Sequence, residues 1–419
     1  MTFTLNMYSI AVMDRATFPL PRTCPFHPPA EYGRLRAEER VSRVRMVGGN
    51  QAWVVARHRD VRRVLSDRRM SADRRRDGFP RFAPATRQEL QESFREFRPP
   101  LNWMDPPEHT AARRAVVGEF TVARVARMEP RIAAIVDRCL DAMLATPPPM
   151  DLHRMLSLPV PSRVICELLG VPYDAHGQFE ARATAMLSRG TPADERTRAA
   201  HGIRRFLDAV VSTKEREPGE DLLSRLIAAQ RAGAGLDHEA VVSMAFVLLV
   251  AGHVTTSNMI SLGVLALLEH PRQLALLVAD PGRVPGAVEE LLRYFTIVEA
   301  ATARTAVEDL EVGGVAIRAG EGVVALCPAA NRDPAVFDRP DELDIERDAR
   351  EHLAFGFGRH TCLGQNLARL ELRVVFERLF RRVPGLRLAS TVDELSFKED
   401  ANIYGVHALP VTWAVNQPG

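Results

Sequence analysis

Lysine is almost missing from this chain of 419 residues, where it occurs only at Lys214 and Lys398. Arginine supplies nearly all of the basic side chains and 53 acidic residues oppose them, so the formal net charge is only +2. A balance this close to neutral argues against a surface designed to bind a polyanion such as nucleic acid. With 46% hydrophobic and 26% charged residues, the composition is that of a globular protein that can bury a large core.

The chain also has few cysteines, and they do not group together. An odd number at scattered positions fits neither a disulfide framework nor a Cys-x-x-Cys metal site. A reducing compartment, here the cytoplasm, is therefore expected. Two of the cysteines, Cys139 and Cys166, lie in apolar helical surroundings and are expected to be small buried hydrophobic residues. The five cysteines are Cys24, Cys139, Cys166, Cys327 and Cys362.

The sequence also lacks an uninterrupted apolar segment of the roughly 18 residues that a membrane span needs. The N-terminal stretch MTFTLNMYSIAVMDR has no basic region ahead of its apolar residues, and Asn6 and Ser9 interrupt them. It is therefore predicted to be neither a signal peptide nor a membrane anchor. Met13 is an alternative translation start, and the residues before it would then be a flexible or non-native extension. No internal repeat or flexible linker divides the chain, so residues 1–419 are expected to form a single domain.

Most of the chain shows the apolar periodicity of helices. The pattern predicts helices from Pro107 to about Gly235, a long helix that Asp237 caps and Pro271 ends, and helices over Val284 to Tyr294 and Leu363 to Arg382. Short β-branched runs between glycine turns predict a smaller β-rich part, in RVSRVRMVGGNQAWVVARH, in DLEVGGVAIRAGEGVVALC and in the C-terminal tail. The predicted fold class is therefore mainly α with small β-sheets.

The stretch LLVAGHVTTSNMI, residues 248–260, places polar side chains at the centre of the long apolar helix. A buried hydroxyl group costs free energy unless it is hydrogen-bonded. A threonine inside a helix often bonds back to the carbonyl four residues earlier, and this is the expectation for Thr256. For Thr255 the same bond is one interpretation, and a functional hydroxyl group is the other.

The stretch AFGFGRHTCLGQNLARLEL carries the strongest signal in the chain. Gly356, Gly358 and Gly364 surround Cys362, and the apolar period that follows predicts a helix starting directly after the cysteine. The unpaired N–H groups and the dipole of a helix N-terminus favour a thiolate, which acts as a metal ligand or as a nucleophile. A nucleophile would need a paired base and a zinc site would need more cysteines, whereas an axial thiolate on haem iron needs only this residue.

FGFGRHTCLG resembles the haem-binding signature of the cytochromes P450, Phe-x-x-Gly-x-x-x-Cys-x-Gly, through Phe355, Gly358, Cys362 and Gly364. EELLR, MDPPEHTAARR and AGHVTT resemble further motifs of that family and occur in the family's order. The resemblance covers essentially the whole chain and is greatest to the soluble actinobacterial group numbered 105. It implies the cytochrome P450 fold, with an α-rich lobe and a smaller β-rich lobe in one haem domain.

The resemblance also implies roles for individual residues. Cys362 would be the axial ligand of haem b, and Glu290 and Arg293 of EELLR would form a structural pair. His253 and His352 are expected to be structural as well. Haem carries two propionates, and arginine binds carboxylates through two parallel hydrogen bonds. The residues implied for the propionates, each with a solvated surface position as its alternative, are His109, Arg113, Arg304 and His360.

The long central helix is implied to cross the distal face of the haem. Ala251 and Gly252 would let dioxygen and substrate approach the backbone, and Thr255 would hydrogen-bond the bound oxygen and direct protons to its outer atom. Val254 departs from the family, which usually has Asp or Glu there to relay protons. Protons then come through water or another side chain, or the chemistry needs fewer of them.

Substrate contacts are expected from mostly apolar segments. These include the irregular loop from Ser71 to Trp103, which is rich in Arg, Pro and Phe as far as Pro100, the helices around Met186, and the tail turn NIYGV. Glu299 is the one charged member, and it is either a selector for a cationic or hydroxylated group or a solvent-facing residue. The individual residues expected in the pocket are Met244, Val247, Leu248, Ile297, Val298, Glu299 and Ala300.

The expected function is that of a haem-thiolate monooxygenase that inserts one oxygen atom from dioxygen into an apolar or polyketide-like small molecule. NAD(P)H would supply electrons through a ferredoxin reductase and a ferredoxin, in tailoring of a secondary metabolite such as an antibiotic or in oxidation of a xenobiotic. Two alternatives stay open: a cytochrome P450 that couples or rearranges its substrate without net hydroxylation, and a haem-binding protein without turnover. Thr255 favours an enzyme, and Val254 keeps both alternatives open.

A basic surface near Cys362 is the expected docking site for an acidic ferredoxin. Attraction between exposed charges is screened over ~8–10 Å at physiological salt, so docking of this kind should weaken as salt rises. The arginines expected on this surface, unless the propionates occupy them, are Arg113 or Arg114, Arg359 and Arg369.

Overall fold

A computed structural model of the protein describes residues 17–83, 98–173, 176–233, 236–298 and 300–414. Met13 and residues 84–97 of the predicted irregular loop lie outside the described residues. The described chain is mainly helical, as predicted. The helices are α1 (Ala30–Arg34), α2 (His58–Ser66), α3 (Glu108–Val117), α4 (Val122–Ala126), α5 (Glu129–Leu144), α6 (Pro159–Leu169), α7 (His176–Leu187), α8 (Ala193–Arg216), α9 (Leu222–Arg231), α10 (His238–Glu269), α11 (Pro271–Ala279), α12 (Val284–Phe295), α13 (Cys327–Ala330) and α14 (Gln365–Arg382). The strands are β1 (Thr17–Phe18), β2 (Val41–Met46), β3 (Gln51–Val55), β4 (Met70–Ser71), β5 (Met150–Asp151), β6 (Ala303–Ala306), β7 (Leu310–Val312), β8 (Val315–Ile317), β9 (Gly322–Ala325), β10 (Arg387–Leu388) and β11 (Pro410–Thr412).

The central element is α10, a helix of 32 residues that packs against α6, α8 and α14. The Asp237 carboxylate accepts a hydrogen bond from the backbone N–H of Ala240 and caps the first turn, as predicted. The helix ends before Pro271, which has no N–H to continue it and starts α11. By length and composition α10 could cross a membrane, but most of it is buried inside the protein, as in a core helix.

Among the described residues, the largest sheet has six strands in the order β1–β2–β3–β9–β6–β4. β2 and β3 form the predicted hairpin, and Gly49 in its turn has a φ of +89°, which glycine adopts without strain. β3 also pairs in parallel with β9, one of the strands predicted in the glycine-rich segment after residue 309. The N-terminal hairpin therefore belongs to the same sheet as that segment. The two smaller sheets have the orders β10–β11–β5 and β7–β8.

Apolar side chains form one large core in the helical part and a smaller core on each face of the six-stranded sheet. Successive residues of a strand point to opposite faces. Val324 therefore packs with Val54 on one face, and Val323 packs with Val55 on the other. All four residues of β6 are buried between these layers, which carries Arg304 into the interior.

The last long helix begins two residues later than predicted, at Gln365 instead of Leu363. The backbone N–H of Cys362 donates to the carbonyl of Phe355 at 2.8 Å, which closes a loop around the cysteine. The next two residues form a turn before the helix starts after Gly364. Cys362 therefore lies in the loop, and not in the first turn of α14.

Candidate active site

The loop from Phe355 to Gly364 holds its cysteine through backbone contacts. The backbone N–H and the hydroxyl group of Thr361 both donate to the carbonyl of Gly358, at 3.0 and 2.7 Å. Gly358 has a φ of +72°, and a Cβ there would lie 2.5 Å from the carbonyl oxygen of Leu65. Only glycine fits this position, because the loop passes directly against the end of α2.

The charge of the Cys362 thiol is under opposing influences. Its side chain keeps accessible surface on one side, yet burial of the sulfur raises the pKa of the thiol, whereas the Gly364 backbone N–H and the guanidinium groups of Arg113 and Arg369 act to lower it. A thiolate here needs a further positive partner, and a metal ion provides one. The described residues contain no cluster of three or more His, Cys, Asp or Glu that could hold a metal ion. Cys362 would thus be a lone protein ligand, as on haem iron.

Two imidazoles predicted to bind propionates lie together near this loop. The ring centroids of His109 and His360 are 4.2 Å apart. Burial, followed by repulsion from Arg113, lowers the pKa of His109 to about 4, and burial, followed by repulsion from Arg304, lowers the pKa of His360 to about 2. Both rings are therefore neutral at pH 7. The Nε2 atom of each ring is buried and has no hydrogen-bond partner among the described residues, which leaves two polar atoms for a ligand.

The two predicted arginines add positive charge to the same place. Arg304 is 4% exposed and donates to the carbonyls of Ala301 and Ala303, and its burial lowers the pKa of the guanidinium group to about 10. Arg113 is half-buried and donates to the Thr361 carbonyl at 2.9 Å. Neither is hydrogen-bonded to a carboxylate of the described residues. A desolvated cation is costly without an anion, so the two propionates of haem b fit this group of residues.

One face of α10 is left uncovered by the protein. Ala251 is exposed although it lies in the middle of a core helix, and Val247 and Thr255, one turn away on either side, are half-buried. Residues four apart share one face of a helix. These side chains therefore form a small, mostly apolar wall.

The hydroxyl group of Thr255 donates to the carbonyl of Ala251 at 2.7 Å. The prediction assigned this back-bond to Thr256, which is instead the more buried of the two. Helix rotation of about 100° per residue separates the two side chains and leaves Thr255 on the uncovered face. Its oxygen retains lone pairs that can accept a further hydrogen bond.

Gly252 has a packing role in addition to the predicted catalytic one. A Cβ at Gly252 would lie 3.0 Å from Cδ1 of Ile165, so glycine lets α6 approach α10 closely. His253 is buried, bonds through Nδ1 to the Leu249 carbonyl at 2.7 Å and meets Phe179 edge-on. Both observations agree with a structural His253.

Asn258, in the same polar stretch, was not predicted to have a role. It is fully buried and its amide oxygen accepts a hydrogen bond from Lys398 at 2.8 Å. Burial lowers the pKa of this lysine to about 8. A Cβ at Gly405 would lie 2.4 Å from the Asn258 side chain. These contacts connect the C-terminal tail turn to α10. The only sequence signal for them is that Lys398 is one of just two lysines in the chain.

The Glu290 and Arg293 pair is completely buried, in contrast to an ordinary surface pair. The carboxylate accepts two hydrogen bonds from Arg293, at 2.7 and 2.8 Å, and one from Arg347 at 3.2 Å. Arg293 also donates to the carbonyls of Asn331, Pro340 and Glu342. The pair thus fixes the polar coil that precedes the cysteine loop, and Arg347 is a member that sequence reasoning missed.

Two of the predicted pocket residues, Ile297 and Val298, meet the tail turn in the chain after α12. The backbone N–H of Tyr404 donates to the carbonyl of Ile297 at 2.9 Å, and Val298 pairs with Ile403. Met244, Leu248 and Ile297 are buried, whereas Val247 and Val298 are half-buried. Glu299 and the side chain of Ala300 lie outside the described residues.

The predicted basic surface near the cysteine is smaller than expected. Arg369 forms two hydrogen bonds with Glu289, at 2.6 and 3.0 Å, and Arg113 is engaged by Thr361. Against the effect of burial, hydrogen bonds from His352 and Arg369 lower the pKa of Glu289 to about 2. His352 is therefore part of a buried contact, as its structural assignment predicts. The exposed arginine of the predicted set is Arg114.

Comparison with known proteins identifies the relatives of this chain. The cytochrome P450 family model matches residues 284–384. Vitamin D3 dihydroxylase from Streptomyces griseolus is 47% identical over 401 residues, which cover 96% of this chain and 97% of that protein. Pentalenic acid synthase from Streptomyces avermitilis is 48% identical over 403 residues, covering 96% of this chain and 98% of that protein. The crystal structure of cytochrome P450 MoxA from Nonomuraea recticatena (CYP105) matches with a TM-score of 0.88 and 56% sequence identity, covering 96% of this chain and 100% of that one.

Identity near one half over almost the whole length is more than a shared architecture requires. The site leads to the same conclusion, because a lone cysteine, two unpartnered imidazole nitrogens and two arginines without carboxylates suit a thiolate-ligated haem with two propionates. The chain belongs to the cytochrome P450 family, as a monooxygenase of the 105 group with haem b as its cofactor.

Proposed function

We propose that this cytochrome P450 inserts one oxygen atom from dioxygen into an apolar or polyketide-like small molecule, with electrons from a ferredoxin. The observation that carries the proposal is the uncovered, mostly apolar face of α10 formed by Val247, Ala251 and Thr255. The names of the related vitamin D3 dihydroxylase and pentalenic acid synthase support a small organic substrate. A tailoring step of secondary metabolism or oxidation of a xenobiotic, in the cytoplasm, is the role that follows.

Different residues of the chain act on the two sides of the site. When bound, the haem supplies the one-electron and dioxygen chemistry. Cys362 would hold the iron, and the imidazoles and guanidinium groups described above would hold the propionates. Val247 and Ala251 exclude water and leave space for an apolar substrate. Thr255 holds a proton on Oγ1, and its oxygen can accept a hydrogen bond from water or from the substrate.

Val254 favours one alternative, a reaction that couples or rearranges the substrate without adding oxygen. Its half-buried side chain packs against the apolar core, and valine cannot relay a proton. A reaction that consumes fewer protons at the distal side would tolerate this residue.

Turnover with labelled dioxygen separates these functions. The holoenzyme would be combined with a ferredoxin, a ferredoxin reductase, NADPH and a panel of apolar small molecules, and the products analysed by mass spectrometry. A product that carries one labelled oxygen atom supports the proposal. A coupled or rearranged product without the label supports the alternative, and binding without any NADPH-dependent product identifies a haem-binding protein without turnover.

Ferredoxin docking is tested by salt dependence at constant pH. Arg114 is exposed on α3, and attraction to an acidic partner falls as the screening length shortens. Electron transfer should slow as salt rises, and Arg114→Gln should reduce the slope. A rate that does not change with salt would contradict electrostatic docking.

A further inference from the structure

Arg74 lies in the chain just after β4, in the loop that the sequence predicts to contact substrate. Its guanidinium carbon is 4.7 Å from the ring centroid of Trp103 and 5.7 Å from that of Phe79. Aromatic faces beside a guanidinium group hold it in position and leave the N–H donors at its edge for another partner. The aromatic rings therefore fix the orientation of Arg74 without forming hydrogen bonds to its N–H groups.

The described residues do not balance the charge of Arg74. Its side chain keeps some accessible surface, yet burial, followed by repulsion from Arg304, lowers the pKa of its guanidinium group to about 10. Across the part of the chain that the structure describes, no carboxylate forms an ion pair or a hydrogen bond with it.

The two nearest acids in the sequence are engaged elsewhere. Asp73 binds Arg75 through two hydrogen bonds, both 2.8 Å long. Asp105 accepts hydrogen bonds from the Ser71 hydroxyl group and from the backbone N–H of Ala72. Neither acid is available to neutralise Arg74.

Charge balance then requires an external anion. Arg113 and Arg304 match the two propionates of haem b, one positive charge for each carboxylate. Arg359 and Arg74 both lie within electrostatic range of Arg304, so the group holds more positive charges than two propionates balance. Two desolvated cations near one another are unfavourable unless an anion binds to them, and a planar guanidinium group is shaped for a carboxylate.

We propose that Arg74 is a carboxylate-binding residue of this site. Two sources can supply the carboxylate: a propionate of the haem, or an acid group on the substrate. In the second case the enzyme takes an apolar small molecule that carries a carboxylate, and this part rests on the proposed function. The place of Arg74 in the substrate loop favours the second source.

The neighbouring arginine provides a matched control. Arg74→Gln removes the charge and keeps a polar side chain of similar reach. Arg75→Gln makes the same change at a side chain that is 52% exposed and already paired with Asp73. Urea unfolding of both variants checks that each is folded, and Arg74→Gln should not be the less stable one, because it removes a desolvated cation.

The first arm measures haem retention, which needs no turnover. Each holoenzyme is mixed with excess apomyoglobin and the transfer of haem is followed by absorbance. If the carboxylate is a propionate, Arg74→Gln should release haem faster by on the order of 10- to 100-fold, the range for a lost hydrogen bond to a charged group, and Arg75→Gln should match the wild type.

The second arm measures binding of a free acid to the holoenzyme by equilibrium dialysis. The probes are dodecanoate and its uncharged methyl ester. If the carboxylate belongs to the substrate, the wild type and Arg75→Gln should bind the acid at least about tenfold more tightly than the ester, and Arg74→Gln should bind both alike.

A change in either arm supports the proposal and identifies the source of the carboxylate. If Arg74→Gln leaves both the haem transfer rate and the ratio of acid to ester affinity at the wild-type values, the proposal is wrong. Neither measurement depends on product formation, so failure of the proposed monooxygenase reaction would be recognised separately, in the labelled-dioxygen experiment.

Discussion

The Glu290–Arg293 pair is fully buried, and a second group joins buried Arg304 with half-buried His360, but the hydrogen bonding of the two groups differs. Glu290 is bound by Arg293 and by Arg347, and the remaining donors of Arg293 reach backbone carbonyls. In the second group, Arg304 is bound only to backbone carbonyls and the Nε2 atom of His360 has no partner among the described residues. The first group is complete within the protein, and we propose that a ligand completes the second.

On this proposal, the first group stabilises the fold and the second binds the cofactor. Removal of one member of a complete ion pair leaves an unpaired charge in the interior of the folded protein. Removal of a cation that has no anion relieves a desolvation cost that the apoprotein already carries. The two groups should therefore respond to mutation in opposite ways.

The largest effect is expected from Arg293→Met. This change leaves the Glu290 carboxylate buried with only the Asp344 backbone N–H, at 3.0 Å, and the longer contact to Arg347. The free energy of unfolding should therefore fall by about 3–5 kcal/mol, the range for a broken buried pair. Urea unfolding of the apoprotein and the holoprotein should show the loss in both.

Arg198→Met is the matched control for this variant. Arg198 pairs with Asp194 on α8, but the two side chains are 68% and 67% exposed. Its loss should change the free energy of unfolding by less than about 1 kcal/mol. Equal losses in Arg293→Met and Arg198→Met would contradict a structural role that depends on burial.

The opposite response is expected from Arg304→Gln. The stability of the apoprotein should be unchanged or higher, because a buried cation without an anion has been removed. Transfer of haem to apomyoglobin should be faster by on the order of 10- to 100-fold, since a charged hydrogen-bond partner of a propionate is lost. A destabilised apoprotein with normal haem retention would show that Arg304, like Arg293, has a structural role.

The role of Thr255 is tested against its neighbour Thr256. Thr255 lies on the uncovered face of α10, and Thr256 is buried. In Thr255→Ala the product formed per NADPH consumed should fall several-fold and hydrogen peroxide should rise, because the hydroxyl oxygen that can accept a hydrogen bond on the uncovered face is lost. Thr256→Ala should change stability more than this coupling. If Thr255→Ala leaves the coupling unchanged, its hydroxyl group serves only the back-bond to Ala251.

The smallest effect is expected in the pH dependence of apoprotein stability. Burial lowers the pKa of His109 to about 4 in the folded protein, whereas an unfolded histidine titrates near ~6.5. The unfolded state binds the proton first, so this histidine removes stability as the pH falls from about 6.5 towards 4. In His109→Gln the loss of stability over this range should be smaller. An unchanged pH profile would contradict a buried, neutral His109.

Motifs in the sequence were sufficient to predict the cysteine loop and the Glu290–Arg293 pair. Arg347 could not be predicted, because the coil that brings it to Glu290 has no periodic pattern. Residues 74–76 are three consecutive arginines, and the sequence does not distinguish them. Only the fold determines that Arg74 faces the rings of Trp103 and Phe79. Arg75 pairs instead with Asp73.

The orientation of side chains around a helix and the exact ends of helices also could not be predicted from the sequence. Thr255 and Thr256 are adjacent, and which of them makes the back-bond depends on side-chain contacts around α10 that a sequence does not show. The start of α14 was placed too early because Leu363 fits the apolar period, although the Cys362 N–H is already used by Phe355.

The most direct test of the whole account is the absorption spectrum of the reduced carbon monoxide complex. The wild type and a Cys139→Ser control, which changes a buried cysteine of α5, should both give the thiolate-type spectrum. Cys362→His should bind haem without that spectrum, because the axial thiolate is gone. Survival of the thiolate-type spectrum in Cys362→His would contradict the assignment of Cys362 as the iron ligand.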